Sequence, residues 1–144
     1  MTYFFAFSGY LLLGMELSLL LKILVTLYAA ALFIQSGFDK VLDWPGNRSY
    51  INGMFEKTIL RPFTPLLMPI ITVLEVAAGL ISLAGATLLI FGGQETVAVI
   101  GLLLGAKSIL LLFFGLRIAK DYGGAAAITP YFIFFVLALG MFVL

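Results

Sequence analysis

Ile70–Gly85 reads IITVLEVAAGLISLAG, an apolar helical stretch that enters a bilayer with one carboxylate, Glu75, set inside it. A charge at membrane depth is expensive, so this side chain must face protein, water or a partner rather than lipid. The apolar run extends outward from about Leu66 to Phe91, long enough to span a membrane. Within it Glu75, Gly79, Ser82 and Ala86 share one face, so the carboxylate heads a stripe of small residues where another helix can approach closely.

The rest of the chain fits that reading. Of its 144 residues 63% are hydrophobic and 10% are charged, whereas a soluble domain carries roughly 25% charged residues. The apolar residues come in blocks rather than at every second position, which excludes a membrane β-barrel and points to an all-α, polytopic membrane protein. The chain has no Cys and no His. Thiol–disulfide chemistry, thiolate and histidine metal sites and the usual general base are therefore excluded, and no metal site is expected. Chemistry would run on carboxylates, Lys, Arg, Tyr or a bound cofactor. A net charge of +1 says nothing for nucleic acid, and none is expected as a partner.

Four spans are expected, at about 17–38, 66–91, 96–116 and 125–144, in a single transmembrane domain covering 1–144. Residues 1–16 form an apolar N-terminal extension too short to cross a bilayer. It reads either as an interfacial or packed helix, or as sequence ahead of a start at Met15. Lys22, near the start of the first span, is placed to snorkel to the interface. That span closes on a polar cluster, Gln35-Ser36-Gly37-Phe38-Asp39-Lys40, in which spacing i, i+4 sets Gln35 beside Asp39 and Ser36 beside Lys40. Trp44-Pro45-Gly46 reads as a turn. From Asn47 to Leu60, Tyr50, Ile51, Met54, Phe55 and Ile59 follow helical spacing, with Arg48, Asn52 and Glu56 on another face. This predicts a short amphipathic interfacial helix between spans 1 and 2. Pro62, Pro65 and Pro69 then open the second span, and Gly92-Gly93-Gln94-Glu95 is a tight turn.

In the third span Gly101, Gly105 and Ser108 form a helix-packing face. Lys107 falls near the middle of the same helix, about 160° away from that seam, and is the candidate contact with a partner outside the bundle. Arg117, Lys120, Asp121 and Tyr122 belong to the second polar loop. Lys40, Arg48, Lys57, Arg61, Arg117 and Lys120 gather on one side, so the positive-inside rule puts the 39–65 and 117–124 loops in the cytoplasm and both termini outside.

With these pieces assembled, the chain resembles the DoxX family of small four-span bacterial membrane proteins. The resemblance rests on Ser36-Gly37-Phe38-Asp39-Lys40, Leu74-Glu75-Val76-Ala77-Ala78-Gly79 and Asp121-Tyr122-Gly123-Gly124-Ala125 in that order, and covers roughly Leu20 to Leu144. It implies a protein of the bacterial cytoplasmic (inner) membrane. Family members are linked with quinone-coupled sulfur oxidation, as a small DoxD-type subunit of thiosulfate:quinone oxidoreductase, and others resemble anchors of oxidoreductase assemblies. The matching polar positions here are Lys40, Glu75, Asp121 and Tyr122.

The expected function is accordingly an accessory or anchor subunit of a quinone-linked membrane redox complex, not catalytic by itself. The alternative is a stand-alone binder or transporter of a small amphiphilic molecule, using a polar pocket around Glu75. Membrane lipids, other membrane subunits or further copies of the chain are the expected partners. No cofactor is intrinsic, but a quinone or lipid could be held. The candidate pocket comprises Gln35, Asp39, Lys40, Glu75, Arg117, Asp121 and Tyr122. Measured from the Gly92–Glu95 turn, Glu75 lies about 26 Å deep, Lys107 about 18 Å and Arg117 about 33 Å. Side chains lean towards the N-terminus of their own helix, so Glu75 and Arg117 converge whereas Lys107 leans away. A Glu75–Arg117 ion pair is therefore expected, with Lys40 and Gln35 completing the site.

Overall fold

The computed structural model describes residues 11–12 and 15–144, with side chains from Glu16 onward. Most of the expected 1–16 extension lies outside the described residues. The backbone of Leu11–Leu12 runs antiparallel to that of Met15–Glu16, a pairing too short to add a sheet layer. Five α-helices follow: α1 (Leu17–Leu42), α2 (Trp44–Phe55), α3 (Thr64–Ile90), α4 (Thr96–Ile118) and α5 (Tyr122–Val143). All but α2 are long and apolar enough to cross a membrane.

Helix boundaries shift from the expected ones where side chains cap the backbone. The first helix continues to Leu42 with Lys40 in its last turn, where a cation complements the helix dipole. Asp43 then serves two helices. Its N–H donates to the Asp39 carbonyl at 3.1 Å, and its carboxylate accepts from Gly46 N at 3.2 Å as the cap of α2. Trp44-Pro45-Gly46 is consequently the first turn of α2 rather than a separate turn, with Pro45 where its missing N–H costs nothing. At the other end α2 stops at Phe55, short of Leu60. The Thr58 hydroxyl donates to the Phe55 carbonyl at 3.0 Å and accepts from Leu60 N at 3.2 Å, competing with helix continuation. A 3-10 turn, Arg61–Phe63, leads into α3. In the second polar loop Asp121 accepts from Gly124 N at 2.9 Å, which starts α5 at Tyr122 rather than Ala125 and leaves Pro130 inside the helix.

The helices pack in chain order, α1 on α3, α3 on α4 and α4 on α5. Aromatic contacts return α5 to α1: Tyr28 meets Phe134 with ring centroids 4.4 Å apart, and Phe33 meets Phe135 at 5.5 Å. Both rings of the second pair are fully buried and lie over Gly105 of α4, where an added Cβ would come within 2.7 Å of each. Much of the remaining interior is small residues such as Ala29, Ala78, Ala86, Ala98 and Ala138, with Met68, Leu89, Leu102 and Ile109 filling the space between them. Large apolar side chains, among them Leu24, Val73, Leu80, Leu111 and Leu137, are turned outward. An apolar exterior around a small-residue interior is the packing expected where lipid is the solvent and helices gain by close approach. This is a multi-pass helical membrane protein.

The seams predicted from spacing are present. Glu75, Gly79, Ser82 and Ala86 are all buried, as are Gly101, Gly105 and Ser108. The stripe on α3 serves two neighbours. Gly79 lies against the backbone of Ile34 in α1, with 2.6 Å from an added Cβ to Ile34 N, while Gly85 and Ser82 meet Ala98 and Gly101 of α4.

The loop end carries α2. Phe55 is buried against Gly115 of α4, whereas Ile51 and Met54 are half-buried and Tyr50 and Ile59 are exposed. The helix is therefore fixed to the bundle by its C-terminal residue rather than by a continuous apolar face.

The close approach at Gly79 makes a paired test. Gly79→Ala should lower stability by about 1–3 kcal/mol through overpacking of α1 against α3. Gly140→Ala, where no atom lies within 4 Å of the new Cβ, should raise it by about 0.5–1 kcal/mol, since alanine is the better helix former. Thermal unfolding of both variants in detergent checks the opposite signs.

Candidate functional site

Glu75 occupies the middle of α3 with no accessible surface. Its partner is Lys40, not Arg117. The Lys40 Nζ lies 2.8 Å from Glu75 Oε2, and its side chain is 16% exposed. This is an ion-pair contact whose angles fall outside hydrogen-bond geometry, since Oε2 has no hydrogen-bond partner. The same ammonium donates to Ser36 Oγ at 3.1 Å and approaches the Ser36 carbonyl at 3.5 Å. Ser36 therefore holds Lys40 from one turn below, as the i, i+4 spacing anticipates.

Local packing explains this choice of cation. On α1 the buried residues Ile23, Thr26, Ala30, Phe33 and Gly37 recur at helical spacing, and Lys40 is the next step along that stripe. Gly37 lies against Val76 and Ile34 against Gly79, so α1 and α3 run antiparallel with Lys40 slightly nearer the loop end than Glu75. Both side chains lean towards their own N-termini, and those leanings bring the two charged ends together.

Arg117 is excluded by register. The contacts of Ser82 with Gly101 and of Gly85 with Ala98 set Ser108 opposite Glu75. Arg117 lies nine residues further along α4, about 13 Å in axial distance. Its guanidinium sits over the ring of Tyr122 at 4.5 Å instead, at the exposed loop end. Such a stacked cation contributes about 0.5–1 kcal/mol at an exposed site.

The seven candidate pocket residues thus separate. Lys40 and Glu75 meet inside the bundle. Arg117 and Tyr122 form a surface pair, and Asp121 caps α5 beside them. Gln35 and Asp39 are exposed on another face of α1. Lys107 is exposed on α4, turned away from the glycine seam as its angle predicts. Two open clefts, of about 500 and 380 Å³, lie at the loop end between α2 and the α4–α5 turn. Ser49, Tyr50, Met54 and Asp121 line the larger, and Glu56, Lys57, Thr58 and Lys120 belong to the smaller; neither includes Glu75.

Sequence reasoning missed a second ion pair. Lys22 Nζ lies 2.7 Å from Glu95 Oε1, tying the start of α1 to the α3–α4 turn, and its ammonium is 5.3 Å from the Phe142 ring centroid. Lys22 is the one cation and Glu95 one of two acids, with Glu16, at that end of the spans, and that opposite charge is the signal that could have paired them. Three buried oxygens have no hydrogen-bond partner among the described residues: both carboxylate oxygens of Glu75, of which only Oε2 has the Lys40 ion-pair contact, and Ser82 Oγ. No group of three or more metal-ligating side chains occurs among the described residues.

The unequal exposure of the ion pair gives a directional prediction. Lys40→Met leaves a carboxylate with no accessible surface uncompensated and should cost about 3–5 kcal/mol. Glu75→Gln leaves a lysine that still reaches Ser36 and the interface, and should cost less. The double variant should lose less than the sum of the two, whereas Arg117→Gln should be additive with Glu75→Gln. A double-mutant cycle read by thermal unfolding in detergent measures each coupling. Comparison with family models, curated proteins and solved structures finds no match to the chain, so no role is carried over to these residues from a matched relative.

Proposed function

We propose that the chain is a DoxX-like integral membrane protein that works as an accessory or anchor subunit of a quinone-linked redox complex in the bacterial cytoplasmic membrane. In this reading both termini are outside and the 39–65 and 117–124 loops are cytoplasmic, with α2 lying at the interface. The observation that carries the subunit role is Lys107, an exposed cation at the centre of a membrane-length helix. Such a charge is stable when another molecule covers it and costly when lipid does.

The alternative, a binder or transporter built around Glu75, has less support. A ligand would have to open the α1–α3 seam to touch a carboxylate that has no accessible surface. The polar clefts at the loop end are lined by other residues.

Purification in mild detergent tests the proposal. The chain should migrate on a native gel within a larger assembly that contains an oxidoreductase, and membranes lacking the chain should reduce quinone more slowly. A chain that migrates alone with bound lipid, together with unchanged quinone reduction, would overturn it.

A further inference from the structure

Lys107 stands eleven residues from each end of α4, about 16 Å by helix rise. Around it Ile100, Leu103, Leu110, Leu111 and Phe114 are all exposed, forming one apolar stripe with a single cation at its centre. The ammonium has neither an ion pair nor a hydrogen bond among the described residues. A lysine stem reaches roughly 6 Å, while half the hydrocarbon thickness is about 15 Å. A headgroup phosphate is thus out of reach from either side.

The chain itself cannot supply the counter-charge. It has seven acidic residues. Glu16, Asp39, Asp43, Glu56, Glu95 and Asp121 lie at helix ends or in turns, and Glu75 is enclosed with Lys40. A second copy meets the same obstacle. Its carboxylates lie at the same wrong depths, and a two-fold pairing of α4 faces would set lysine against lysine.

We infer that the Ile100–Leu103–Lys107–Leu111–Phe114 face is the docking surface for a membrane-spanning helix of a different protein, one that carries an Asp or Glu near its midpoint. This rests on the subunit reading and narrows it to one kind of partner. Interhelical polar pairs hold neighbouring spans together in the same way, the apolar stripe supplying packing and the charge pair supplying depth register.

The test uses the full chain in phosphatidylcholine vesicles with synthetic leucine–alanine spanning helices that carry Glu, Gln or Leu at the centre. Association is read by energy transfer between dyes on the chain and on the helix. The Glu helix should associate about tenfold more tightly than the Leu helix, the size that model spanning helices support for one polar pair. Lys107→Leu should abolish that preference, Lys107→Arg should keep it, and Lys107→Glu should transfer it to a helix with a central Lys. Circular dichroism of each variant should match wild type, because the residue is exposed. Equal association of the Glu and Leu helices would overturn the inference. So would a preference that survives Lys107→Leu, or self-association of the chain that Lys107→Leu removes. The two levels fail separately. A chain that purifies alone yet prefers the Glu helix defeats only the subunit role, and a complexed chain without the preference defeats only the partner's chemistry.

Discussion

The ion pair between Lys40 and Glu75 sets the terms for the rest of the bundle. A carboxylate with no accessible surface needs a cation at contact distance, and the cation must come from a neighbouring helix. At 2.8 Å the two groups allow α1 and α3 almost no freedom to slide. The seam around them is made of residues that permit this closeness. Gly37 lies against Val76 and Gly79 against Ile34, and an added Cβ at either glycine would come within 2.7 Å of its neighbour. Burying the pair is itself expensive, and dispersion along the small-residue seam is what offsets it. The pair fixes register more than it adds stability.

Around that seam the other helices are placed by similar rules with different partners. Gly85 and Gly101 bring α3 and α4 together, and Gly105 leaves room for the rings of Phe33 and Phe135 to meet from two further helices. Phe55 does the same at the loop end by packing on Gly115, which secures α2. Lys22 and Glu95 close the opposite end. With side chains 17% and 44% exposed, this pair contributes little energy, roughly 0–1 kcal/mol.

How far the sequence discloses this structure depends on the kind of constraint. The four spans are legible because apolar blocks and charged loops report the solvent directly. Gly79, Ser82, Gly101 and Gly105 are legible as seams, and Lys107 as an outward residue, because angular position within one helix follows from residue number alone. The partner of Glu75 is not legible in the same way, since it depends on how two helices slide past each other. Treating Gly92–Glu95 as a symmetric turn misplaces α4 against α3 by about one helical turn, roughly 5 Å, enough to favour Arg117. The stripe Ala30–Phe33–Gly37–Lys40 on α1 held the better answer. The caps at Asp43 and Asp121 were equally available in the sequence, yet the turn residues beside them drew the helix boundaries to the wrong places.

The most direct measurement is made on the isotope-labelled chain in lipid bilayers, by nitrogen–carbon dipolar recoupling between the Lys40 ammonium and the Glu75 carboxyl carbon. The account predicts a strong coupling that matches the 2.8 Å Nζ–Oε2 contact, and no coupling from the Arg117 guanidinium to the same carbon. A Glu75 carboxyl coupled to Arg117, or to neither cation, would contradict it.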